Sequence, residues 1–118
     1  MPGKRADQKG RAEREHVVAL RAALADWPSV STHSKFGNAS FQTGGKVFAF
    51  TRPEGVAMKL PEARVRGLVE KGRAEFLVMG KRTMREWMVL RVPETGKFSQ
   101  PDLKLLREAK EFVAGLNS

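Results

Sequence analysis

The chain reads as an α+β domain, with helices packed on one face of an antiparallel sheet in the order α-β-β-β-β-α-β-β-α. Three observations point there. Apolar residues recur at helical spacing before Pro28, after Pro61 and after Ser99. Between Ser29 and Leu60 lie short strand-like runs punctuated by Gly44-Gly45 and Pro53-Glu54-Gly55. Two more apolar runs, AEFLVMG and EWMVLRV, separate the second and third helical stretches. Runs of strands with helices beside them bury their apolar sides as two layers.

Each element has its own signal. From about Ala12, Val17, Leu20, Ala23 and Leu24 form an apolar stripe, with Arg14, Arg21 and Asp26 opposite, and Pro28 stops the helix. SVSTHSKFGN, ASFQT, KVFAFTR and GVAMKL follow as four strands of a meander. Gly44-Gly45 suits a type I′ turn, which needs positive φ twice. On the third run Phe48 and Phe50 share a face, and Phe41 packs on both across the hairpin. Pro61 sets φ for the first helical turn, with Ala63, Val65, Leu68 and Val69 inward and Gly72 as the stop. GKRTMR is read as a basic loop before the last strand, where Trp87, Val89 and Arg91 face one way and Met88, Leu90 and Val92 the other. Ser99 and Asp102 resemble a capping box with Asp in place of Glu. Leu103, Leu106, Ala109, Phe112, Val113 and Leu116 then line the inner side of the final helix.

The 118 residues fit one domain over 13–118, preceded by a flexible basic tail over 1–12. There is no cysteine, so disulfides and thiolate chemistry are out. No apolar run approaches the ~18 residues of a membrane span. The N-terminus has charge but no apolar core of a secretory signal. A cytoplasmic protein is the expectation, with a monomer favoured.

Net charge is +9, and its placement matters more than its size. Residues 17–60 carry five cations against two anions and residues 61–92 eight against four, whereas 93–118 are balanced at four and four. A basic field of this kind attracts polyanions, although a basic protein with no such partner has the same composition. No catalytic set stands out. His33 lies among Ser31, Ser34 and Lys35 without the elbow of a triad nucleophile. The acids are scattered, so neither a metal site nor a cofactor is expected, and GGK and GKRT lack the spacing of a phosphate loop. The domain is therefore read as non-enzymatic.

The run FGNASFQTGGKVFAF, the strand GVAMKLP, the later GKRTMREWMVL and the closing LLREAKEFVA together resemble the MmcQ/YjbR-like family, over about residues 17–116. The resemblance implies a CyaY-like sandwich related in shape to frataxins, and DNA binding with a double-wing arrangement. Gly45, Lys46 and Phe48 match the family's hairpin, Lys59 its Leu-Lys strand end, and Trp87 its tryptophan. The final helix departs from the pattern: REAKEF places Ala109 and Phe112 where an aromatic hydroxyl is common. The first helix is too basic for the acidic ridge of frataxin-type iron binding.

The expected function is nucleic-acid binding, with DNA the first choice, at low sequence specificity. Lys35, Lys46, Lys59, Lys81, Arg82 and Arg85 are the expected phosphate contacts, with His33 and Asn38 as auxiliary polar groups. Phe36, Phe41 and Trp87 would stack on bases where exposed. The alternatives are docking of an acidic protein on the same basic face, and a small-ligand pocket around His33, Lys46 and Trp87.

Overall fold

A computed structural model describes residues 15–35, 37–91 and 98–116. The expected tail, the start of the first helix, Phe36 and Val92 lie outside them. After α1 (15–24) come β1 (Ser31–Lys35), β2 (Asn38–Thr43), β3 (Lys46–Arg52), β4 (Gly55–Lys59), α2 (Glu62–Glu70), β5 (Glu75–Met79), β6 (Arg82–Arg91) and α3 (Gln100–Leu116). The element order is the one the sequence predicts. The six strands form one sheet in the order β1-β2-β3-β4-β6-β5, and every neighbouring pair is antiparallel.

All three helices cover one face. Val17, Leu20 and Leu24 of α1, Val65 and Leu68 of α2, and Leu105, Leu106, Ala109 and Val113 of α3 meet Phe41, Phe48, Val56, Met58, Met88 and Leu90 of the sheet. This is the main core, and its driving force is removal of apolar surface from water. The buried His16 belongs to the scaffold: its Nε2 donates to the Arg52 carbonyl at 2.9 Å, tying α1 to β3.

Local chemistry sets the boundaries. Gly44 and Gly45 both take positive φ (59° and 79°), as a type I′ turn requires. Gly72 (φ 74°) ends α2 one residue past its C-cap, Lys71. Pro61 caps α2 from outside rather than occupying its first turn, with extended ψ of 144°. Ser99 and Asp102 close a reciprocal box: the Ser99 amide donates to Asp102 Oδ2 at 3.1 Å, and the Asp102 amide to Ser99 Oγ at 3.3 Å.

Three packing expectations change. Phe48 and Phe50 do not share a face. The β2–β3 register shifts between Phe41 and Gln42, so Ala49 opposes Phe41 and Val47 opposes Gln42, which leaves Phe48 without an opposite residue. This extra residue turns Phe48 into the main core against Phe41 (6.5 Å between ring centroids) and sends Phe50 to the other side. On α2, Ala63 is exposed; on α3, Leu105 is buried and Leu116 is 58% exposed. The expected basic loop GKRTMR is mostly strand: Gly80 and Lys81 are the turn, and Arg82 already pairs with Met79.

Two substitutions test this scaffold. A Cβ at Gly55 would collide with the Leu90 carbonyl across the β4–β6 ladder. Gly55→Ala should therefore destabilise the fold by about 3 kcal/mol or more, read as a fall in urea midpoint. Ser99→Ala removes one half of the capping box and should cost about 1 kcal/mol, a melting shift of about 4 °C or more.

Candidate nucleic-acid interface

The helix-free face carries a second, smaller apolar cluster. Ala57, Leu77 and Val89 are buried there, with Phe50, Met84 and Trp87 packed around them. Phe50 and Trp87 touch at 5.3 Å between centroids, tilted by 50°. Leu77 and Met84 come from the β5–β6 hairpin, and its Met79 sulfur lies 3.6 Å from Arg52 Nη1 on β3. The outer half of that hairpin therefore folds over β3 and β4.

An irregularity in β6 makes this possible. Phe76 opposes Met88, but the next residue, Leu77, opposes Met84. Arg85, Glu86 and Trp87 are thus extra on the β6 side, and a bulge of this size bends and twists its strand. Trp87 still pairs with Lys59 on β4, and the Leu60 amide donates to the Glu86 carbonyl at 3.0 Å. The inner part of β6 stays in the sheet while the outer part turns away from it.

A cleft of about 480 Å³ opens at this elbow. Lys59 enters from the end of β4 and Glu62 from the first turn of α2, and β6 supplies Arg82, Arg85, Glu86 and Trp87 together with Thr83 and Met84. Glu62 is held by Arg66, one helical turn on, at 2.7 Å. Among the described residues no carboxylate pairs with Lys59, Arg82 or Arg85. Glu86 is the one acid left against those three cations, so the cleft keeps a positive excess.

Elsewhere five arginines have carboxylate partners, whereas Arg21 and Arg107 have none among the described residues, Arg107 lying over the Trp27 ring instead. Arg64 makes a two-pronged contact with Glu108, both N–O distances being 3.1 Å, and Arg73 lies 3.8 Å from Asp102. At the opposite end of the sheet from Lys59, Arg52 pairs with Glu54 at 3.1 Å and Arg91 with Glu75 at 2.7 Å. The Glu54 carboxyl is held below its ordinary value, first by its own backbone amide, against the effect of partial burial, and then by Arg52. The Arg91 guanidinium is held above its ordinary value by its hydrogen bond to Glu75. These exposed pairs add little stability, because water screens them. Their effect on the surface is to cancel charge at that end.

The eight expected contact residues do not form one group. Lys59, Arg82 and Arg85 converge in the cleft. Lys46, exposed at the start of β3, shares the sheet end of Lys59, one strand away, without lining the cleft. Lys81 sits in the β5–β6 turn. Lys35 ends β1 opposite Asn38, at the other end of the sheet, and His33 is exposed on the same edge strand. Asn38 has a structural task there: its side-chain oxygen accepts from the Thr51 hydroxyl at 3.3 Å, and that hydroxyl accepts from the Ala39 amide at 2.8 Å. His33, Lys46 and Trp87 therefore do not surround one pocket. Phe41 is fully buried and offers no stacking face, whereas Trp87 forms part of the cleft wall.

Thr83, Met84 and Glu86 are lining residues that pattern reasoning did not find. Their membership depends on where β6 bends, and no run of residue types announces a three-residue excess. Among the described residues no three His, Asp or Glu side chains gather as a metal site, and no helix is long and apolar enough to cross a membrane. No known family model matches the chain, and neither a curated protein nor a solved structure does.

Proposed function

We propose that this chain is a non-enzymatic nucleic-acid-binding domain, of the kind that the resemblance to MmcQ/YjbR-like proteins implies, and that it grips phosphates at the β6 elbow. The observation that supports this reading is the cleft itself. Three cations from two strands meet there without carboxylate partners, while five arginines elsewhere are paired. Lys59 and Arg85 are the central phosphate contacts, with Arg82 beside them and Lys46 extending the positive field along the sheet end. His33, Lys35 and Asn38 have no part in this interface.

Contacts to phosphate carry affinity without reading sequence. With Lys59, Arg82 and Arg85 assigned to phosphates, the expected sequence specificity is low. With about three phosphates neutralised, the logarithm of the binding constant should fall against the logarithm of salt with a slope of about −2 to −3. Raising salt fourfold should then weaken binding by about 15- to 60-fold.

Lys59→Glu combined with Arg85→Glu should reduce DNA affinity by about tenfold or more and flatten that salt slope. Fluorescence anisotropy of a labelled oligonucleotide measures both quantities. Unchanged affinity and slope in the double variant would remove the elbow from the interface. Tight, salt-sensitive binding of polyglutamate with none of DNA would assign the same surface to an acidic protein.

A further inference from the structure

The cleft differs from a flat basic patch in two respects. It is concave, and it has an indole in its wall. A double helix presents its phosphates on a convex surface and hides its base faces in the stack, so a duplex would meet the rim and leave the interior unused. A single strand can turn one base inward. Trp87 is partly buried and rigidly held in that wall: it packs on Phe50 and is fixed by the apolar cluster of Ala57, Leu77, Val89 and Met84. Lys59, the direct register partner of Trp87, lines the same cleft, as do Arg82 and Arg85. A volume of about 480 Å³ lies within the range of small-molecule sites, ample for one nucleotide.

Resting on the polyanion reading above, we propose that the preferred ligand is single-stranded nucleic acid. One unpaired base seats in the elbow cleft against Trp87, while Lys59, Arg82 and Arg85 hold the flanking phosphates. Stacking of this kind is tolerant of base identity, because every base has a π face. It adds affinity that charge alone does not supply, and it discriminates strand state rather than sequence. The cleft thus acts as a detector of unpaired nucleotides.

The test uses the full chain carrying Trp27→Phe, which leaves Trp87 as the sole tryptophan. Oligo(dT) and oligo(rU) of about 12 nucleotides, a duplex of the same length and inorganic polyphosphate are titrated at low salt. The expected result is quenching of Trp87 emission by the single strands, and weaker or quench-free binding of the duplex and polyphosphate. Trp87→Leu keeps an apolar wall; it should weaken single-strand binding by about tenfold and leave polyphosphate binding unchanged. A melting curve checks that this variant folds, and if it does not, the quenching experiment decides alone. Equal affinity for single strand, duplex and polyphosphate, with no change in Trp87 emission, would overturn the single-strand assignment and leave the polyanion reading standing. Failure of all four ligands to bind would overturn both.

Discussion

Everything distinctive about this molecule depends on one strand having two partners in two directions. From Trp87 to Arg91, β6 is the inner neighbour of β4 and a full member of the sheet. From Arg82 to Met84, it is the return arm of a hairpin with β5. Arg85 and Glu86 lie between, with Trp87 at the junction. Antiparallel pairing demands that opposite residues advance together, and three residues in excess on one side break that demand. The mismatch is relieved by bending, and the bend carries Leu77 and Met84 onto the face that the helices leave bare. Without this cover, Ala57, Val89, Phe50 and Trp87 would present an apolar surface to water.

The fold was largely legible because its signals are local. Pro28, Pro61, Gly44-Gly45 and Gly72 mark ends by backbone geometry that few other residues tolerate. Ser99 and Asp102 announce a helix start through side chains that reach their own backbone. The alternation of Trp87 and Val89 against Met88 and Leu90 gives the two faces of β6 correctly, since the strand is regular there. The failures come where regularity is broken by pairing with a distant segment. Phe48 and Phe50 alternate in sequence as one face should, yet the register shift opposite Phe41 parts them. GKRTMR looks like a loop by its charge, yet most of it is strand.

The candidate site was legible only in its chemistry. Lys59, Arg82 and Arg85 are evident as cations, and Trp87 as a large aromatic near them. That those three meet, while Lys35 and His33 stand at a far edge, follows from strand order and from the elbow, neither of which is written in any short run of residues. Partnering was equally hidden. Arg64 finds Glu108 across 44 positions of chain and Arg91 finds Glu75 across 16. Such pairs decide which positive charges remain effective at the surface, and a count of residue types treats them all alike.

The elbow also separates two kinds of work along a single strand. Beyond it, Met88 and Leu90 are committed to the interior and admit few replacements. Before it, Arg82, Thr83 and Arg85 owe little to the core and can be exchanged at small structural cost. Lineages or designers could therefore rewrite the cleft, altering its charge or breadth by edits to a handful of neighbouring codons, while the layered body beneath stays as it is.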